Sequence, residues 1–441
     1  MTARPGSIRW SRTFAVCLAL FALVLDGCNS GNGIVEGKTT TRIRVVNALP
    51  DAGPVDLTLD TGPVVSALPF QGISTYREVT FGTREFKVTT NGGSTSLIDA
   101  SNPIAGAIDY TYIIYGSLST PNAVLLSDAV PSPEGGKFQM RVANVATGQG
   151  ALDVYLTPAG ADISATSPTV GATANGNATT FAKFTSGDFQ IRITPAGAKD
   201  VIYDGGVHTF AEKSALNLAI YNNRSSQLVN AMLLNVDTDG TGATADNHLS
   251  EFRLVNTSTI TSALNVRLDG QPLLANVPPS GVADYQRVAA GFHTVTIEAA
   301  TTPGAALLTT GVTLDPARDT SIALSGDAGS LQTLVLADNN LPPTPGTARL
   351  RFVNVQAGAP TLDVYVNFAR QVAALGGSSS SGYVELTADP TGTAYTLDFN
   401  IAGTTTVALA LPAVTLVSGK IYTVYLTGPP SALKSVIAVD R

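Results

Sequence analysis

Short runs in which every second residue is apolar recur along the chain, and a period of two predicts half-buried β-strands. Val55/Leu57/Leu59, Leu152/Val154/Leu156, Leu264/Val266/Leu268 and Leu362/Val364/Val366 are four such runs. Each follows a segment of one type: Arg44-Val45-Val46-Asn47, Arg141-Val142-Ala143-Asn144, Arg253-Leu254-Val255-Asn256 or Arg351-Phe352-Val353-Asn354. The Asn residues are 97, 112 and 98 positions apart, and nine positions after each stands Asp56, Asp153, Asn265 or Asp363. A third mark is Gly82, Gly187 or Gly291, preceded six positions earlier by Tyr76, Phe181 or Tyr285 and followed by alternating strands such as Phe86/Val88, Ile191/Ile193 and Val295/Ile297. The fourth unit departs from this, with a longer turn around Pro390 to Gly392 between Tyr383 and the Tyr395/Leu397/Phe399 strand. Each unit closes with two more strands, such as Tyr110 to Tyr115 and Ala123 to Leu126 in the first.

About seven strands per repeat, with turn signals between them and no helical period, predict an all-β chain. The expectation is four tandem immunoglobulin-like antiparallel β-sandwich repeats at 42–135, 137–247, 249–345 and 347–441. Loops at 131–136, 237–247 and 341–346 separate them, and the proline-rich ones suggest semi-rigid spacers in a rod of beads. Each bead would then hold together through its own apolar inner faces.

Composition narrows the function classes. Of 441 residues 44% are hydrophobic and only 13% charged, about half the usual ~25%. Lys and Arg total 26 against 33 Asp and Glu, a formal charge of -7, so there is no basic surplus for a phosphate backbone and nucleic acid is not an expected partner. Two cysteines and three histidines leave little for a metal or thiol enzyme, and no cofactor is expected.

The first residues read as an address. Arg4, Arg9 and Arg12 form a cationic region, and Thr13 to Leu25 is an uncharged apolar run of 13 residues. A bilayer-spanning helix needs about 20, so the run has the length of a signal-peptide core. It ends in Leu25-Asp26-Gly27-Cys28, which resembles a bacterial lipobox, although Asp26 replaces the small or apolar residue usual there. The resemblance implies cleavage after residue 27, acylation (palmitate among the chains) at Cys28, and a flexible tether over 28–41. Asn29 after the cysteine resembles the outer-membrane default, which implies a lipid-anchored envelope protein facing the periplasm or the cell surface. Removing residues 1–27 leaves 23 basic against 32 acidic residues and a charge of -9. No barrel or sorting module is expected after the fourth repeat.

The pattern Arg-apolar-Val-Asn, eight residues, then Asp-apolar-Tyr-apolar, clearest in RFVNVQAGAPTLDVYV from Arg351 to Val366, is similar to the opening of the bacterial domain of unknown function 4397 (DUF4397). The resemblance covers Arg42 to Arg441 and implies a fold without implying a mechanism. Many members of that family carry His where this chain has Asn47, Asn144, Asn256 and Asn354, which removes the one position that could suggest acid-base or metal chemistry.

The recurrent charges are the closest approach to a functional constellation. On a strand Arg44 faces away from Ile43 and Val45, and Asp56 faces away from Val55 and Leu57. Arg44 with Asp56, Arg141 with Asp153 and Arg351 with Asp363 are therefore candidate cross-strand ion pairs, if their strands are neighbours, serving as a structural latch or as ligand-binding carboxylates. The Asn residues suit strand-to-loop turns. Asp237, Asp239 and Asp246 in a glycine-containing loop form a weak calcium candidate, but His248 stands where an EF-hand needs Glu and no helices flank it, so a flexible acidic linker is favoured. Gly37-Lys38-Thr39 lacks the first glycine of a phosphate loop, and Ser378 to Ser381 lacks a nucleophile-elbow frame. His208, His248 and His293 have no metal spacing, and no repeat assembles a nucleophile with a base. The sequence thus predicts a non-enzymatic, lipid-anchored envelope protein that binds or displays, with envelope carbohydrate or protein as candidate partners. A purely structural spacer or adhesin stalk is the alternative, and an enzyme with a site between repeats is a third.

Overall fold

A computed structural model describes residues 40–236, 240–428 and 432–441. Cys28, the tether up to residue 39, Asp237 and Asp239 lie outside the described residues. Repeat 1 consists of β1 (Thr41–Ala48), β2 (Val55–Leu59), β3 (Gly62–Leu68), β4 (Arg77–Val79), β5 (Gly82–Thr90), β6 (Ser96–Ile104), β7 (Asp109–Ser117) and β8 (Thr120–Ser127). These form two four-stranded sheets, β4-β1-β7-β8 and β3-β2-β5-β6. The same two-sheet plan occurs four times, and no α-helix occurs among the described residues.

The expectation of wholly antiparallel sheets needs correcting at one pair. β1 runs parallel to β7, with Ile43 opposite Tyr110 and Val45 opposite Tyr112. The chain visits the whole opposite sheet between them, and such a long crossover is what a parallel pair requires. The same parallel pairing joins Lys137–Asn144 to Ala215–Tyr221, Leu249–Asn256 to Asp319–Ser325 and Thr347–Asn354 to Ile421–Thr427.

The two sheets differ in what covers them. In the β3-β2-β5-β6 sheet the period of two holds: Val55, Leu57, Phe86 and Val88 point into a core shared with Ile43, Val45, Tyr112 and Ile114. The outward positions are half-buried or exposed. β7, by contrast, is buried at all nine positions, as a strand with both faces covered must be. Its second face packs on repeat 2, where Val46, Ala48, Ile113 and Tyr115 join Ala143, Val145, Tyr221 and Met232 in one cluster. Val255 and Ala323 of repeat 3 likewise join Val353, Tyr425 and Val436 of repeat 4.

The rod of independent beads is therefore overturned: repeats pack face to face, 1 with 2 and 3 with 4, through their mixed sheets. The linkers pack too. Leu341 is buried and its carbonyl accepts from Arg349 Nη1 at 3.0 Å, so the 341–346 segment is no free spacer. In the 237–247 segment, Gly242–Ala245 is a strand paired with Asn230–Asn235, which corrects the flexible-linker reading there. Repeats 2 and 3 also touch, through Asn223 Nδ2 donating to the Pro316 carbonyl at 2.8 Å and an Arg287–Asp200 ion pair at 2.7 Å.

Candidate functional site

The recurrent arginines are buried: Arg44, Arg141, Arg253 and Arg351 are at most 8% exposed. Facing away from the home core puts them into the junction between repeats, not into solvent. Their predicted partners lie in the other sheet of the sandwich, because β1 and β2 never pair. The pairs Arg44–Asp56, Arg141–Asp153 and Arg351–Asp363 are consequently not formed.

Each of those aspartates has a local task instead. Asp56 accepts the Ala67 and Gly92 N–H groups at 2.6 and 3.1 Å, Asp153 those of Ala172 and Gly197 at 2.7 and 2.8 Å, and Asp363 those of Ala374 and Gly403 at 2.9 and 3.1 Å. Ala67, Ala172 and Ala374 have φ of 50°, 46° and 54°, where a non-glycine residue is strained. The carboxylate thus fixes a left-handed bulge next to the second strand, and Asn265 serves Asn276 (φ 56°) in the same way at 2.9 Å. Hydrogen bonds from Ala374 and Gly403 hold the Asp363 carboxyl below the usual range.

The partners that the arginines do find are aspartates at the end of the last strand of a repeat. Asp128 is fully enclosed: Arg141 Nη2 reaches Oδ1 at 2.9 Å, Asn217 Nδ2 reaches it at 3.0 Å, and Arg44 Nη2 lies 3.7 Å from Oδ2. Thr111 and Tyr76 donate their hydroxyls to Oδ2 at 2.5 and 2.8 Å. Between repeats 3 and 4 there are two such carboxylates. Arg351 reaches Asp338 at 2.5 Å, and Ser321 and Tyr285 donate to it at 2.5 and 2.6 Å. Arg253 pairs with Asp440, to which Thr423 donates at 2.6 Å. The aromatic residue six positions before the glycine mark covers the guanidinium, with Tyr76 5.0 Å over Arg44, Phe181 4.5 Å over Arg141 and Tyr285 4.3 Å over Arg253. Tyr383 covers Arg351 at 4.9 Å. Burial opposes charge on Arg253 and Arg351, but the neighbouring tyrosines and aspartates outweigh it and raise both above the usual arginine value. The guanidiniums and carboxylates of these hubs pair with one another and join repeats, and between repeats 3 and 4 Arg253, Tyr285 and Asp440 also line an open cavity of about 350 Å³.

Asp128, Asp338 and Asp440 were missed in the sequence. The signal was a third recurrence, an Asp directly after or near the final strand in SD, AD and VD contexts. The Asn residues are fully buried clamps. In Asn47, Asn144 and Asn256 the Oδ1 accepts the N–H two residues on, at 3.0, 3.1 and 3.3 Å, and the Nδ2 of each of the four donates to loop carbonyls.

Of the weak metal candidate only Asp246 is described, and it accepts from Asn230 Nδ2 at 3.0 Å. His208 meets the Gly205 carbonyl at 3.0 Å. His293 lies between Asp269 at 2.7 Å and the Ala289 carbonyl at 2.9 Å, a slot in which Arg84 of repeat 1 pairs with Asp60 at 3.1 Å.

The outer sheets remain as available surfaces, and they are not alike. In repeat 2, Tyr155 is 1% exposed, and Lys199 bonds its hydroxyl at 3.0 Å and also the Thr166 carbonyl of the 158–169 segment. In repeat 4 the matching Tyr365 is only half-buried and lines an open cavity of about 470 Å³ with Phe368, Asp398 and Asn400.

Comparison with known proteins gives no curated match. Among solved structures, the chain is similar to one titled "Alpha-glucan recognition by family 41 carbohydrate-binding modules from streptococcal virulence factors", with 11% identity over 43% of this chain and 96% of that one. The TM-score is 0.16, too low to carry an argument. A family model described as a domain of unknown function matches twice, at 41–155 and 250–365. Each match runs through one repeat into the first two strands of the next, and so includes Arg44, Asp128 and Arg141 or Arg253, Asp338 and Arg351, but not Asn217 or Asp440. On these two matches the chain belongs to the DUF4397 family.

Proposed function

We propose that this protein is a non-catalytic binding or display module of the cell envelope, held to the outer membrane by a lipid on Cys28. The observation that supports the reading is the division of labour between the two sheets. The recurrent arginines and the rings over them are used in the junctions between repeats, and the recurrent Asp and Asn residues fix local turns, while the opposite sheets face outward and differ from repeat to repeat. A stiff scaffold with variable outer faces suits presentation better than turnover. A diacylglycerol thioether with an added N-acyl chain contributes about 0.8 kcal/mol per buried CH₂, enough for stable anchoring.

The anchor is tested by fractionating cells that express the full chain and Cys28→Ala. The expected result is loss of the membrane-bound form and accumulation of an unprocessed or soluble form; unchanged membrane association would refute it. Binding is tested by presenting the detergent-solubilised full chain to immobilised envelope polysaccharides and envelope proteins. Saturable binding supports a module, and its absence across both panels would leave a structural spacer.

A further inference from the structure

The outer face of repeat 4 carries a feature that folding does not explain. Leu362–Val366 and Ala369–Leu375 are joined by Asn367 and Phe368, with φ of 45° and 67°. In a two-residue turn with both φ positive the second position favours glycine, and repeat 3 has Gly270 (φ 80°) in this place after Asp269 (φ 49°). Repeat 4 places a bulky aromatic residue there and leaves it 81% exposed, the highest exposure among the large apolar side chains described. Phe368 therefore carries backbone strain without gaining burial, and strain of this kind points to a use.

The surroundings define what the ring meets. Tyr365 stands directly opposite Asp398, and Asp363 opposite Asn400, on the outward side of the sheet. The cavity of about 470 Å³ is lined by Tyr365, Phe368, Val407 and Ala410 on its apolar side and by Asp398 and Asn400 on its polar side. The Asn400 Oδ1 is buried with no hydrogen-bond partner. Two aromatic rings beside a carboxylate and an amide match a molecule with an apolar C–H face and hydroxyl donors around its rim.

We infer that this face binds a neutral pyranose chain. A sugar ring stacks on Phe368 and Tyr365, and its hydroxyls donate to the Asp398 carboxylate and hydrogen-bond the Asn400 amide. The charge selects among sugars: Asp398 on the face and a net charge of -7 for the chain disfavour uronate or phosphate polymers. The inference rests on the binding-module reading and gives it a ligand class and a place.

The test is calorimetric titration of the detergent-solubilised full chain with maltoheptaose, cellohexaose, laminarihexaose, mannohexaose and polygalacturonate oligomers. At least one neutral oligosaccharide is expected to saturate, with polygalacturonate weaker. Phe368→Gly is expected to weaken that binding at least about ten-fold, with thermal unfolding no lower than that of the parent because a strained turn is relieved. Asp398→Asn is the second variant, expected to weaken neutral-sugar binding and narrow the gap to polygalacturonate. Saturable sugar binding that survives both substitutions would sink the repeat 4 face while leaving the module reading intact. Binding of envelope protein but of no oligosaccharide would refute the sugar and spare the module. Absence of every ligand would overturn both.

Discussion

The junction between repeats 1 and 2 and the junction between repeats 3 and 4 use one design with different charge. In the second, two arginines meet two aspartates, Arg351 with Asp338 and Arg253 with Asp440. In the first, two arginines share Asp128, because Val236 occupies the place after the last strand of repeat 2. The missing carboxylate is replaced by backbone: Arg44 Nη1 donates to the carbonyls of Asn235, Gly240 and Thr241 at 2.7, 3.0 and 3.3 Å. That loop lies so close that a Cβ on Gly240 would fall 2.3 Å from the Tyr76 ring. A buried guanidinium can thus be satisfied by carbonyl dipoles in place of a counter-ion, provided the chain can approach without a side chain. The lesson is that the repeats conserve hydrogen-bond saturation at the junction and leave its net charge free.

The largest effect that could break this comparison comes from Asp128. Asp128→Ala strands the buried Arg141 and takes from Arg44 its nearest carboxylate, and is expected to destabilise the chain by about 3–5 kcal/mol in urea unfolding, the range for orphaning a buried charge. Asp440→Ala leaves Arg253 near Asp338, which also interacts with it, so a smaller loss is expected. Equal losses would show that the shared carboxylate is no more critical than the duplicated one.

The next effect is pH. Arg42 in repeat 1 pairs with Asp109 across the parallel strands at 2.7 Å. The same position in repeat 3 sets Glu251 against Asp319, two carboxyls, with Arg441 bonded to Glu251 and 3.9 Å from Asp319, and Arg287 4.0 Å from Glu251. Asp200 competes for Arg287 at 2.7 Å, Asn340 donates to Asp319 at 2.7 Å, and Ser225, Tyr285 and Asp338 complete the surroundings. Burial, then the facing Asp319, pushes Glu251 up to about 7 against the arginines, and burial raises Asp319 as well. The folded state therefore holds its proton more tightly than the unfolded chain. The stabilisation is full below the unfolded value of 4.5 and is lost as pH rises through about 7. Stability is expected to fall by about 1–3 kcal/mol between pH 5 and 8, and Glu251→Gln should flatten the profile. A parent profile that rises over that window would contradict the shared proton.

Much of this was legible in the sequence, and the limits have physical causes. Alternation in the second and fifth strands named the home core correctly because those strands have one wet face. The run Asp109–Ser117, DYTYIIYGS, lacks alternation, and that was the readable sign of a strand covered on both sides and hence of paired repeats. The Arg and aromatic marks were seen, but a recurrence shows that a residue is needed without showing what it touches. Arg44 and Asp56 recur together because each closes its own backbone or junction, not because they meet. The strained Phe368 was invisible, since only the backbone reveals that it occupies the place of Gly270.

The smallest effect separates the tyrosines. Tyr76→Phe keeps the ring over Arg44 and removes one hydrogen bond to Asp128, which retains Thr111, Asn217 and Arg141 as donors. A loss of about 1 kcal/mol is expected, the usual net value of one such bond. Phe181 shows that a ring without a hydroxyl serves over Arg141 in repeat 2. Tyr285→Phe should cost more, because its oxygen both donates to Asp338 at 2.6 Å and accepts from Asn340 Nδ2 at 3.2 Å, so two partners lose it. Asn340 still has Asp319 at 2.7 Å, which keeps the difference near 1 kcal/mol. Matched chemical unfolding of the two variants reads this directly. A Tyr76→Phe loss at least as large as that of Tyr285→Phe would mean that the single-carboxylate junction depends on its last hydroxyl, and that the carbonyl cap on Arg44 is a poorer substitute for Asp440 than its geometry implies.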